Sequence, residues 1–351
     1  MPVTGGSVTL QLRPCDDDEY RRITEAAPMP VEQTVEWDAY DATVPGRAPW
    51  GRLAAWEGRE PVAVVSFSKV AVGGGISWLW AKFGPVWLAE PTPERERALR
   101  DQLTASLRRV DPSIAFVRLH SRHDADDLVP VMQGITFDST VIVDLTGTPD
   151  DVMARMKKRG RRDVRKAERE ETLTVTEDTG LDRAAFDELY ALFQETGERA
   201  AFGVHSADRY FEMMRLVGPE IMRLFVVRDS GTPVAWAQVN VIGSHATYSI
   251  GASGAAARNS GAPDLLQWQI MQRLQAEGVT SYDLGGVGSE EFDSLAGLTL
   301  FKTKFHPDVV PAAAARDLPV RGLVYRALTT GRSLKQSLRR RLSALRGRSS
   351  D

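Results

Sequence analysis

The sequence predicts a mixed α/β fold built as two domains of the same kind, and three observations predict it. The chain has 351 residues, 42% of them hydrophobic, and a single core stops growing near ~250–300 residues. An order of elements, strand–strand–helix–strand, occurs twice. Between the two copies, an apolar strand TVIVDL (140–145) is followed at once by the signature of a helix start. Thr148 is a capping residue, Pro149 suits the first helical position, and Asp151 stands three residues after the cap. The boundary is therefore expected at Asp144–Pro149. Residues 1–143 would form the first domain, and 144–316 the second, which would carry most of the substrate site. The segment 317–351 is a candidate to pack back on the first.

The first copy runs EGREPVAVVSF (57–67), SWLWAKF (77–83), a helix near 94–109 and IAFVRL (114–119). The second runs DSGTPVAWAQV (229–239), ATYSIGAS (246–253), a helix near 263–277 and TSYDL (280–284). In both, a glycine turn (Gly58, Gly231) feeds a strand that opens Pro-Val-Ala, a second strand returns, and a helix crosses to a further strand. Helix 182–195 places Phe186, Leu189, Tyr190 and Phe193 at i, i+3, i+4, i+7, a stripe that faces a core.

Net charge is −3, unevenly placed. Residues 155–171 carry +5, residues 318–351 carry +8, and the remainder carries −16. An acidic body with two basic segments points to a localised anionic partner: nucleic acid, a phosphorylated substrate or a membrane surface. The single cysteine, Cys15, excludes a disulfide framework, and five histidines without metal-ligand spacing give a metal site little support. No cofactor is expected. The N-terminus shows no charged n-region followed by an apolar stretch, and Gly75–Ala89 is too short for a membrane span. A cytosolic protein is expected.

Read as one helix, residues 149–171 have two faces. At ~100° per residue, Arg155, Lys158, Arg159, Arg162, Arg165, Lys166 and Arg169 share one arc of about 120°. Val152, Met153, Met156, Val164 and Ala167 lie opposite. A solvated helix ordinarily mixes signs and gains from opposite-charge pairs, so this arc reads as an anion-binding surface.

Three further segments carry candidate chemistry. Thr196–Gly197–Glu198–Arg199 follows the core-facing helix, where a loop could aim the Arg199 guanidinium into a cleft. Arg258–Asn259–Ser260–Gly261–Ala262 precedes the helix of the second copy, as does the pyrophosphate loop of acyl-CoA N-acyltransferases, but Pro263 has no N–H to donate. Gly285–Gly286–Val287–Gly288 reads as a tight loop that brings backbone close to something. Leu300–Phe301–Lys302–Thr303–Lys304–Phe305 alternates apolar and basic residues, so as a strand it would turn its phenylalanines one way and its lysines the other.

Together these motifs resemble the FemABX family of peptidoglycan-bridge aminoacyltransferases. The resemblance is carried by PVEQTVEW, RRDVRKAERE, TGERAAF, the PVA strand, SIGAS, GAPDLLQW, YDLGGVG and GLTLFKTKF, and spans roughly residues 30–310. It implies two tandem GNAT-like domains, without the coiled-coil insertion of some members. It also implies transfer of an amino acid from aminoacyl-tRNA to an amine on the stem peptide of a lipid-linked or nucleotide-linked muropeptide precursor. An aminoacyl ester is already activated, so neither metal nor covalent nucleophile is needed. The enzyme must hold two polyanions, align amine with ester and stabilise an oxyanion.

The resemblance assigns roles to residues. Lys302 matches the FK position and would stabilise phosphate or oxyanion. Arg199 matches the T-x-x-R arginine and would clamp a substrate phosphate. Asp283 is a candidate proton acceptor, or a brace for the glycine loop. Tyr248, Trp37 and Lys304 are candidate substrate contacts, with core packing the competing reading for the two aromatics. Arg155, Lys158, Arg162, Arg165, Lys166 and Arg169 would bind tRNA. After Trp37 the chain reads Asp38–Ala39–Tyr40–Asp41, without the lysine that members can carry there. Two rival classes remain: an acyl-CoA N-acyltransferase of the same fold, and a non-catalytic tRNA- or membrane-binding protein. Near the C-terminus, Leu334, Leu338, Leu342 and Leu345 form a narrow stripe in a basic segment (332–348). That pattern suits a helix lying on an anionic inner membrane surface, a helix docked on the first domain, or a further tRNA contact.

Overall fold

The computed structural model describes residues 8–131, 137–200, 202–257, 260–290, 292 and 295–331. The chain forms two units: Met1–Cys15, Pro45–Ile135 and Ala315–Asp351 in the first, Asp16–Val44 and Thr136–Ala314 in the second. The expected boundary is thereby corrected in two places. The strand near 140 belongs to the second unit because its partners lie there. Residues 16–44 also belong there, since Val31, Trp37 and Tyr40 share a core cluster with Met213, Val217 and Met222. The C-terminal segment 332–348 lies outside the described residues.

The first unit contains β1 (Gln11–Cys15), and the chain then contributes α1 (Asp17–Thr24) and α2 (Trp37–Asp41) to the second. Back in the first come β2 (Arg47–Glu57), β3 (Glu60–Gly73), β4 (Ile76–Trp80), β5 (Val86–Trp87), α3 (Pro93–Val110), β6 (Ile114–Ser121) and β7 (Val129–Pro130). The second unit continues with β8 (Ser139–Asp144), α4 (Pro149–Arg155), α5 (Lys158–Ala167), β9 (Leu173–Glu177), α6 (Arg183–Ala200) and α7 (Ala207–Val217). It closes with β10 (Met222–Asp229), β11 (Thr232–Ile242), β12 (His245–Ser253), α8 (Ala262–Ala276), β13 (Ser281–Gly286), α9 (Ala296–Lys302) and β14 (Val310–Pro311). Then β15 (Ala314–Pro319) joins the sheet of the first unit, and residues 322–331 are helical.

The repeat read from sequence is real in three dimensions. The first sheet runs β1-β2-β3-β4-β6-β15-β7, with β5 beside β3, and the second runs β9-β10-β11-β12-β13-β8-β14. In each, two antiparallel hairpins lead to one parallel pair, β4 with β6 and β12 with β13. The crossover is a helix, α3 or α8, as a parallel connection requires. Gly58 (φ 63°) and Gly231 (φ 86°) sit at the equivalent hairpin turns, where left-handed backbone favours glycine.

Burial follows the periodicities. α3 buries Leu99, Leu103 and Leu107 on its sheet, and Thr92 accepts from Arg95 N–H at its start. In the second unit, α4, α5 and α8 cover one face of the sheet through Val152, Met156, Val164, Leu265 and Ile270, over Val141, Val143, Tyr282 and Leu284. The other face takes α6, whose Leu189 and Phe193 pack with Leu224, Val226 and Trp236. The capping box read from sequence is formed: Asp151 N–H donates to the Thr148 hydroxyl, and Thr148 N–H to the Asp151 carboxylate. No helix among the described residues is long and apolar enough to cross a membrane.

Candidate active site

The second sheet opens beside its parallel pair. β12 and β13 are in register only over His245–Thr247 and Ser281–Asp283. Beyond Thr247 and Asp283 no further partners join the two strands. A β-bulge falls at the same level, where β12 shifts register against β11 between Gln238 and Val239. The two strands part between the second half of β12 and the end of β13, leaving a gap with Gly251 under the Tyr248 ring on one side and Gly285 facing the Tyr248 carbonyl and Lys302 on the other. Bulges and splays of this kind re-aim side chains and expose backbone to a ligand.

Lys302 reaches the end of this gap. It is 7% exposed, and its Nζ donates to the carbonyl of Gly286 at 2.7 Å. A Cβ on Gly285 would lie 3.3 Å from the Tyr248 carbonyl and 3.6 Å from Lys302 Nζ. The glycine loop therefore does bring backbone close to something, and that something is the lysine. Burial pulls the Lys302 ammonium down to about 8, and Asp283 opposes the fall. The expected strand Leu300–Phe305 is instead the end of α9 and the turn after it. Its alternation misled because Phe301 and Phe305, four apart, also stack edge to face on a helical path, with rings 5.4 Å apart. Leu298 and Leu300, on the same helix, are exposed.

Tyr248 flanks the gap. Its ring lies over Gly251 so closely that a Cβ there would sit 1.5 Å from the phenolic oxygen. Gly251 is thus what leaves room for Tyr248. Burial pushes the phenol up to about 12, so at neutral pH it is a neutral hydrogen-bond donor. Asp283 lies below. Burial pushes its carboxyl up, while Thr140, Gly285 and Lys302 pull it back. The Thr140 hydroxyl donates to Asp283 Oδ1 at 2.5 Å and Gly285 N–H to the same oxygen at 2.7 Å. This gives Asp283 the brace geometry and leaves its other oxygen as the one a substrate proton could reach.

Arg199 is not past a helix end but in the last turn of α6. Thr196 explains its aim. The Thr196 hydroxyl accepts from Ser253 N–H at 3.0 Å, and its own proton lies between the Leu192 carbonyl at 2.8 Å and the Ser253 carbonyl at 3.1 Å. This ties α6 to the open end of β12, and Arg199 Nη2 then donates to Ser253 Oγ at 3.2 Å. Glu195 lies 3.7 Å from the guanidinium.

Two further expected substrate contacts have partners within the fold. Lys304 Nζ is held by Asp264 at 2.7 Å and Asp163 at 3.1 Å, which fastens α5 to α8. The Lys304 carbonyl accepts Lys157 N–H, and Gly160 makes room for it, since a Cβ there would meet that oxygen at 2.3 Å. Trp37 is 5% exposed and packs on Tyr40 with ring centroids 4.9 Å apart. The core-packing reading of Trp37 therefore holds.

The single basic helix is corrected as well. It breaks at Met156, which is 2% exposed, with extended backbone at Met156 and Lys157. Burying Met156 and satisfying Lys157 N–H on Lys304 bends the chain where no proline or glycine marks it. Arg155 falls on the other side of the break and donates to the carbonyls of Asp144 and Thr146, which removes it from the arc. On α5, Lys158, Arg159, Arg162, Arg165 and Lys166 are exposed, as is Arg169 just after the helix. Asp163 pairs with Arg162 at 2.9 Å and lies 3.6 Å from Arg159.

The turn before α8 is already occupied. Arg258 and Asn259 lie outside the described residues. Ser260 Oγ accepts Ala262 N–H, Pro263 has none, and Asp264 N–H goes to the Gly261 carbonyl. Asp264 also sets a buried carboxyl, paired with Lys304, in the first turn of α8. Sequence reasoning missed Asp264, Gly251 and Thr140. The only signal for Gly251 was its place in SIGAS, and Thr140 reads as one more β-branched residue in a strand. Among the described residues, no group of three or more His, Cys, Asp or Glu is placed to hold a metal ion.

Residues 154–294 match the family described as acetyltransferase (GNAT) domain. No curated protein matches the sequence. Among solved structures, a crystal structure of FemX superposes with a TM-score of 0.72 at 15% identity, covering 90% of this chain and 99% of that one. The structure of L-PGS from Bacillus licheniformis gives a TM-score of 0.51 at 14% identity, covering 88% of this chain and 93% of that one. The fold is that of FemX, two tandem GNAT-like domains, so the resemblance read from scattered motifs extends to three dimensions.

Proposed function

We propose that this FemX-fold chain, with a GNAT-matching second domain, is an aminoacyltransferase. It would move an amino acid from aminoacyl-tRNA to an amine on the stem peptide of a muropeptide precursor. The observation that carries this reading is Lys302, a buried cation held on the Gly286 carbonyl where β12 and β13 part. When an amine attacks an ester carbonyl, the oxygen becomes an anion. A preorganised, dehydrated cation stabilises that anion far better than water does. In this reading Lys302 holds the oxyanion, Arg199 holds a substrate phosphate, and Asp283 takes a proton from the attacking ammonium. The basic face of α5 takes the tRNA backbone. The occupied turn before α8 argues against coenzyme A as donor, whose pyrophosphate would need those N–H groups.

The test is to incubate the protein with charged tRNAs and a muropeptide precursor, then weigh the products. A mass gain of one or more amino-acid residues supports the reading. No gain with any charged tRNA, together with acylation from acetyl-CoA, overturns it. Binding of tRNA should weaken steeply with salt, and neutralising Arg162, Arg165 and Arg169 together should reduce the log–log salt slope by up to ~3. An unchanged slope in the triple variant returns α5 to a solvated face.

A further inference from the structure

β8 is the first strand of the second unit in sequence, yet it inserts beside β13, the last long one. Their pairing carries an irregularity. Ile142 pairs with Asp283 and Thr140 with Gly286, so two steps along β8 match three along β13. The extra residue lies at Leu284–Gly285, and Gly285 takes the left-handed backbone of such a bulge, φ 75°. What holds the bulge is one carboxylate oxygen. Asp283 Oδ1 accepts both Gly285 N–H and the Thr140 hydroxyl. What the bulge presents is the next carbonyl, Gly286 O, the acceptor of Lys302 Nζ.

We propose that Thr140 is a positioning residue for Lys302, acting through the Asp283 carboxylate and the Gly285 bulge to fix the carbonyl that orients the ammonium. Thr140 does not touch the gap itself, being 3% exposed. Its hydroxyl can donate to only one acceptor at a time, and that acceptor is Asp283. Without it, Asp283 keeps Gly285 N–H as its one neutral donor, and its carboxyl is free to turn about its side-chain bonds. The bulge then loses one of the two bonds that define it. Lys302 keeps its burial but loses a fixed direction, which a bound substrate does not restore. The expected signature is a loss in turnover rather than in binding.

This inference rests on the aminoacyl-transfer reading for its kinetic test, so a second measurement is made without substrate. Thr140→Val is close in shape and lacks only the hydroxyl. Its kcat is expected to fall about tenfold, the net worth of one hydrogen bond, with KM unchanged. Thr140→Ser restores the hydroxyl and should restore kcat. Hydrogen exchange at Gly285 N–H should accelerate in Thr140→Val and return in Thr140→Ser, whether or not a substrate is known. Should Thr140→Val fail to fold, Thr140→Ala, which also lacks the hydroxyl, is read in its place. Wild-type kcat and unchanged Gly285 exchange in the variant without the hydroxyl overturn the proposal. So does a Thr140→Ser variant as impaired as Thr140→Val. A wild-type protein that transfers nothing from aminoacyl-tRNA, with Gly285 exchange still controlled by Thr140, overturns the function and leaves the bulge clamp standing.

Discussion

The two sheets share a strand order and differ most tellingly at the exit of the parallel pair. In the first unit β4 and β6 stay joined. Ala81 N–H donates to the Arg118 carbonyl and His120 N–H to the Gly84 carbonyl, both at 2.8 Å. Bulky side chains occupy that level: Trp78 stacks on Phe116 at 5.1 Å, and Arg118 lies over the Trp78 ring at 5.0 Å. In the second unit the matching strands part after Thr247 and Asp283, and Lys302 Nζ is held there on the Gly286 carbonyl. The same topology thus serves once as a packed wall and once as a cleft.

The largest expected effect breaks the cleft's chemistry. Lys302→Ala should lower turnover by ~10²-fold or more, as loss of one oxyanion donor does. A folded variant with most of its activity would leave the gap without a catalytic cation. Lys302→Met should do the same while raising the melting temperature at pH 7. Burial lowers the folded pKa of Lys302 from 10.5 to about 8, so the charged lysine costs folding energy. Between those values the folded state binds fewer protons than the unfolded one, and wild-type stability rises with pH. The stability advantage of methionine should therefore shrink as pH climbs from 7 to 10.5, which thermal melts across that range will read. No advantage at pH 7 would mean that Lys302 is not held against its own desolvation.

Next in size is the glycine that makes room. Gly251→Ala puts a methyl where the Tyr248 hydroxyl lies, so the ring must swing away from the gap. Turnover should fall on the order of 10-fold, since displacement by an ångström is costly in an aligned site. Tyr248→Phe separates the ring from its hydroxyl. If Gly251→Ala keeps full activity, Tyr248 belongs to the packing rather than to the cleft.

How much of this was legible follows from which residues act locally. The repeat, the hairpin glycines and the Thr148 cap were readable because each depends on neighbours a few positions away. Lys302, Arg199, Tyr248 and Asp283 are candidates through motif resemblance, and the structure places Lys302 and Asp283 together near the parting of β12 and β13. What failed was non-local. Met156 breaks a helix because a carbonyl from residue 304 satisfies the next N–H, and no residue nearby announces it. Lys304 stands beside Lys302 in a strand reading because they are two apart, whereas on a helical path one turns to Gly286 and the other to Asp163 and Asp264. Thr140 lies 143 residues from Asp283, and no periodicity links them.

The smallest expected effect on turnover tests the other half of the comparison, the wall. Asp111, just after α3, accepts from Lys69 Nζ at 2.7 Å, from Trp50 Nε1 at 3.1 Å and from Ser113 Oγ at 2.6 Å. Burial pushes its carboxyl up, but these donors outweigh burial and hold it at about 2, below its ordinary 3.8. A depressed carboxylate stabilises the fold fully above pH 3.8, and that stability is lost as pH falls toward 2. Asp111→Asn should therefore destabilise the protein at pH 7 by about 2 kcal/mol, at 1.36 kcal/mol per unit, and should flatten the acid limb of its stability between pH 4 and 2. Turnover per folded molecule should not change, because the charge braces a wall that has neither a counterpart of Lys302 nor a gap. Urea titrations at several pH values measure the first effect, and kinetics normalised to folded protein measure the second. If Asp111→Asn lowered kcat as Lys302→Ala does, the two sheets would not divide the labour as their strand exits indicate.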